Sequence, residues 1–79
     1  MIYLTKIDAA RNMARFYVLD VQPTLFGEWA LLKEWGRIGR GGQSRRATFG
    51  QRDEAESALA REYKKRVGRG YSGLGVDEI

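Results

Sequence analysis

Cysteine and histidine are both absent from this 79-residue chain. Disulfides are thereby excluded, and with them the usual zinc sites, thiol nucleophiles and histidine general bases. A carboxylate-only site for a hard cation stays open on residue types, but the ten acidic residues are scattered, and neither metal nor cofactor is expected. No apolar run approaches the roughly 20 residues that a membrane-spanning helix requires. The opening MIYLTKIDAARNM has neither the long apolar core nor the small-residue cleavage site of a signal peptide. The expectation is a soluble, cytoplasmic protein with no membrane partner. Proline occurs once, as Pro23, where it marks the end of an extended run. Acid is missing from one stretch in particular: none lies between Trp35 and Arg52.

What is present is ordinary globular material with a basic bias. The apolar fraction is 43% and the net charge +4, enough for a single domain over residues 1–79, near the lower size limit for a core of its own. Between Glu28 and Gly50 the cations Lys33, Arg37, Arg40, Arg45 and Arg46 stand against only Glu28 and Glu34. Arginine dominates there, and its planar fork suits phosphate oxygens.

The pattern along the chain predicts an α+β fold: a single antiparallel sheet of four to five strands with one helix packed across it. MIYLTKI alternates Ile2 and Leu4 against Tyr3 and Thr5 as a first strand. DAARNMA reads as a turn in which Asp8 and Asn12 satisfy local backbone groups. RFYVLDVQ is a second strand, with Tyr17, Leu19 and Val21 on one face and Phe16, Val18, Asp20 and Gln22 on the other. PTLFG makes a hairpin-length connection to EWALLKEWGRIG, where Trp29, Leu31 and Trp35 share one parity; Trp29 is assigned to packing. GRGG turns the chain into QSRRATF, an edge strand guarded by arginines. QRDEAESALAREYKKRV is the helix, its stripe formed by Ala55, Ala58, Leu59, Tyr63 and Val67, with Gly68 as its stop. The tail RGYSGLGVDEI is read as a short strand or arm anchored by Tyr71 and Leu74.

Two motifs compete for attention, and one is set aside. GRGYSG, Gly68 to Gly73, matches the glycine fingerprint of dinucleotide sites, but a helix precedes it where a strand is required. Catalysis has little to work with, because no spacing of Asp, Glu, Lys or Tyr picks out an acid–base pair. The chain is therefore read as a binding protein without a small-molecule substrate. EWGRIGRGGQSRRATFG, Glu34 to Gly50, is the stronger signal. An indole that can stack on a sugar or base stands beside arginines and glycines, the ingredients of a nucleic-acid groove. The alternative is Trp35 as a core residue at a strand end, with Arg37 solvated nearby.

RFYVLDVQ, then EWGRIGRGGQ, then a strand ending in Phe49, then the helix, resembles the WGR domain over about Asn12 to Tyr71. The string Trp35 to Gln43 carries most of that likeness. WGR domains occur in the DNA-break-activated poly(ADP-ribose) polymerases, where they bind DNA near the break and relay its presence to the catalytic domain. The zinc-finger, regulatory and catalytic parts of those enzymes have no counterpart here, and free-standing WGR proteins resemble bacterial ones. The resemblance implies Trp35 against a sugar at a strand end, Arg37 on DNA or a neighbouring domain, and Asn12 near the terminal phosphate. It maps the family glycines to Gly36, Gly39 and Gly42 and the glutamine to Gln43, while Arg40, Arg45 and Arg46 are added from charge. The expected function is sequence-independent binding of DNA ends, nicks or single strands, with RNA as a variant. The rival is a protein-interaction module docking an acidic partner through the same surface.

Overall fold

The computed structural model describes residues 1–73; the Leu74 anchor lies outside them. Strands β1 (Ile2–Asp8), β2 (Met13–Pro23), β3 (Trp29–Arg37), β4 (Gln43–Phe49) and β5 (Ser72–Gly73) form one sheet, and α1 (Arg52–Gly68) lies across it. The strand order is β4-β3-β2-β1-β5, every pairing antiparallel, which is the α+β architecture expected from the sequence. No described helix is long and apolar enough to cross a membrane.

Period-two alternation decides what the helix covers. Ile2, Leu4, Tyr17, Leu19, Val21, Leu31 and Phe49 all belong to one cluster, and Leu4 and Leu19 are fully buried at its centre. From the helix, Ala55 and Ala58 are buried and Leu59 and Tyr63 are half-buried, as the stripe predicts. Val67 is a correction: it is exposed, and the inner positions of the last two turns belong instead to Glu62 and Arg66. Counting 55, 58, 59, 62, 66 along a helix keeps one face, so polar residues continue the stripe where an apolar one was expected.

Local chemistry sets the element ends. Asp8 accepts a hydrogen bond from the Ala10 amide at 3.1 Å, and a single 3-10 turn (Ala9–Arg11) leads to Asn12 in the left-handed region, φ 52°. Asparagine tolerates that conformation better than most residues. The Gln51 amide donates to Glu54 Oε1 at 3.2 Å and steadies the start of α1. Its end differs from the expectation placed on Gly68, which is still helical; the left-handed glycine is Gly70, φ 98°. The Tyr71 amide donates to the Arg66 carbonyl at 3.1 Å and the Gly70 amide to Val67 at 3.0 Å, the paired bonds of a Schellman ending. That reversal sends Tyr71 back into the core and lets β5 pair with Leu4 and Thr5 of β1.

Candidate functional site

The helix packs on β2, β3 and β4 but leaves one end of that sheet face open. There a groove of about 640 Å³ is lined by three aromatic residues, Tyr17, Trp35 and Tyr71, and by the cations Arg15, Lys33, Arg37, Arg45 and Arg66. Its floor follows from register. Arg15 pairs with Arg37, Tyr17 with Trp35, Leu19 with Lys33, and Lys33 in turn with Arg45. At about 3.3 Å per residue, the two basic rows flank the ring row at roughly 7 Å on each side. Like charges directly opposite one another on a sheet face repel and cost stability. Two such pairs around one aromatic row make a surface suited to an anion.

The Trp35 ring is half-buried, stacked beside Tyr17 with centroids 5.8 Å apart and planes 16° from parallel. It therefore both packs against the core and walls the groove. Tyr17 is almost wholly buried; Tyr71 meets it edge-on at 6.0 Å, and the Arg66 guanidinium lies 4.2 Å from its centroid. Arg37 donates to the Asn12 carbonyl at 3.1 Å and to Asn12 Oδ1 at 3.3 Å. The sequence-predicted pair Asn12 and Arg37 thus sits together, with Asn12 setting the direction of the guanidinium. Only part of the arginine's five-donor fork is used in this way.

Other candidate residues are placed elsewhere. Arg46 follows Arg45 on a strand and so points to the opposite face, against Leu32 and Glu34 rather than into the groove. Arg40 and Gly39 stand exposed in the β3–β4 turn, and Gln43 is exposed opposite Trp35. Gly42 owes its identity to close packing: a Cβ there would strike the Trp35 carbonyl and come within 3.0 Å of the Phe16 ring. The turn can close only without a side chain at that position. Gly36 faces the same crowding from the Gly42 Cα at 2.8 Å. These two glycines shape the floor from beneath.

Sequence reasoning missed Arg15, Lys33, Tyr17, Arg66 and Tyr71 as groove residues. The strand parity of Arg15, Tyr17, Lys33 and Trp35 was legible, and so was the break of the helix stripe at 62 and 66. Which end of the sheet the helix leaves uncovered was not.

Glu62 organises the helix side of the groove. Its carboxylate lies 3.7 Å from Lys33 Nζ, 3.7 Å from Lys65 Nζ and 3.6 Å from Arg66 Nε, and it accepts the Tyr17 hydroxyl at 3.3 Å. Burial is the largest single influence on this carboxyl and pushes its pKa up. The three cations and the Tyr17 hydrogen bond together outweigh it and hold the group below its ordinary 4.5. A carboxyl depressed in the folded state adds stability above its unfolded pKa and loses it as pH falls through the folded value. Thermal melts from neutral pH down into the acid range below 4.5 will therefore fall less steeply for Glu62→Gln than for the wild type. An equal slope in the two proteins refutes the coupling.

Sheet, helix and groove together define a small two-layer module with an open, cationic, aromatic-lined surface, a class suited to holding a polyanion. The chain belongs to the WGR domain family, whose model matches residues 1–76. Nucleic-acid binding, of DNA in particular, is the usual role of that family. The chain is also similar to the uncharacterized protein y4dW of Sinorhizobium fredii, with 40% identity over 70 residues. That match covers 89% of this chain but 34% of the relative, so the chain spans about a third of the relative's length.

Proposed function

We propose that this protein is a small non-catalytic cytoplasmic module that binds DNA ends, nicks or single strands without reading base sequence. The observation that carries the reading is the Arg15–Arg37 pair set beside the Trp35–Tyr17 ring row on the uncovered end of the sheet. Among the described residues, no carboxylate lies within ion-pair distance of Arg15, Arg37 or Arg45. A phosphodiester backbone supplies the missing negative charge, and its sugars and bases supply a flat partner for Trp35. The groove's cations lie on a sheet face rather than on a helix that could enter a major groove, which favours backbone contacts over base-edge readout. In this reading Trp35 stacks at the strand end, Arg15, Arg37 and Arg45 grip phosphates, and Asn12 holds Arg37 in place. Arg40 and Gln43, on or beside the exposed β3–β4 turn, meet the nucleic acid beyond the groove. Gly36, Gly39 and Gly42 give the turn its shape. Arg46, on the other face, adds only to the long-range field.

Titration of labelled blunt duplexes, 5′-phosphorylated duplexes and single strands tests this directly. One phosphate on each of the three arginines gives a log–log salt slope of about −2 to −3. Matched RNA oligonucleotides measure any preference at the 2′-hydroxyl. No saturable binding of any of these at low salt would overturn the proposal.

A further inference from the structure

Two of the groove's cations are already engaged. Lys33 and Arg66 both converge on Glu62, whose side chain is only 17% exposed. One carboxylate spread over three cations makes no short contact with any of them: the separations are 3.6–3.7 Å, against about 2.7–2.9 Å for a charge-assisted hydrogen bond. Arg66 Nε is buried and makes no hydrogen bond, while its guanidinium lies over the Tyr17 ring, 4.2 Å from the centroid, and donates to the Tyr17 hydroxyl at 3.2 Å. Lys33 stands opposite Arg45 on β4, so without a counter-charge these two would repel as Arg15 and Arg37 do. The helix thus relieves one basic row and leaves the other unrelieved.

We infer that Glu62 is an internal counter-charge that withholds Lys33 and Arg66 from phosphate and so sets how many phosphates the groove neutralises. The inference rests on the nucleic-acid reading above. Glu62 is a positioning residue: it touches no ligand, and it acts by holding Lys33 back against α1 and Arg66 down on Tyr17. The consequence is selectivity. A groove with five free cations would hold any polyanion by charge alone, with strong salt dependence. With two of them tied back, a larger share of the affinity comes from the ring row, which a strand end can satisfy.

The test uses salt titrations of a labelled oligonucleotide against the wild type, Glu62→Gln, Lys33→Ala, Arg45→Ala and the double variant Lys33→Ala/Glu62→Gln. Releasing Lys33 and Arg66 in Glu62→Gln will tighten binding about fivefold or more at low salt and steepen the log–log slope by about 0.7–1.8, one or two more phosphate contacts. Lys33→Ala alone will weaken binding by less than about twofold, well short of Arg45→Ala, and in the double variant the Lys33 share of the gain will disappear. A residue that merely braced the fold would lower affinity when changed and leave the slope where it was. The inference is overturned if Glu62→Gln, folded by circular dichroism, keeps the wild-type slope. It is equally overturned if Lys33→Ala weakens binding as much as Arg45→Ala, a comparison that stands even if the Glu62 variant does not fold. A wild type that binds no oligonucleotide removes the nucleic-acid reading itself, a separate result from either of these.

Discussion

Replacing Trp35 by alanine is expected, on the proposed function, to lower affinity for a DNA end by about 1–3 kcal/mol, the range for losing one base or sugar stack, or roughly 5- to 150-fold in Kd. The residue is only half-buried and lines the groove; its other contacts are with Tyr17, at 5.8 Å, and the edge of the core. The substitution also removes an aromatic pair worth about 0.5–1.5 kcal/mol beyond its buried area, so some stability goes with it. The two effects separate by measurement. Denaturation gives the stability loss, and anisotropy titration on the folded fraction gives the affinity loss. Trp35→Phe keeps a smaller flat ring at the same strand position and recovers part of both. A folded Trp35→Ala variant that binds like the wild type would show that the ring serves packing alone.

Leu19→Ala carries the largest expected cost to stability, about 2–5 kcal/mol. Leu19 is fully buried at the middle of β2, in one cluster with Leu4, Leu31 and Ala58 of the helix. Truncation leaves a cavity in a cluster whose one buried helix member, Ala58, is too short to refill it. A chain of 79 residues holds a total on the order of 4–12 kcal/mol, so this one change brings it near the point of unfolding. Urea titration should show the midpoint falling with the slope unchanged. A loss well below 1 kcal/mol would mean that the sheet and helix close over the gap and that the core is not centred there. The groove shares this dependence, because Tyr17 and Lys33 flank Leu19 along and across the strands.

Several features of the molecule were legible without coordinates, and the reason is local. Strands β1 and β2 and helix α1 declare themselves because each repeats its apolar residues at its own period, two or 3.6, while β3 and β4 are marked by the turns that bound them. The separation of Arg45 from Arg46 follows from the same alternation once β4 is recognised. The Trp35–Gly36–Arg37 string sits at the end of a strand in both readings. Other features depend on long-range placement. That Asn12, 25 positions before Arg37, accepts its hydrogen bonds requires the β2–β3 register. That Glu62 and Arg66 reach Tyr17, 45 and 49 positions away, requires the helix to lie at one particular place on the sheet.

By itself the sequence determined the main elements, the inward face of the strands and of the helix's first turns, and the family motif, since periodicity and turn chemistry act over a few residues. Tertiary structure alone decided that arginine faces arginine across β2 and β3, that Gly70 turns Tyr71 inward, and that α1 stops short of the Trp35 end of the sheet. Those outcomes depend on how whole elements register and pack. The open basic groove is produced by that packing.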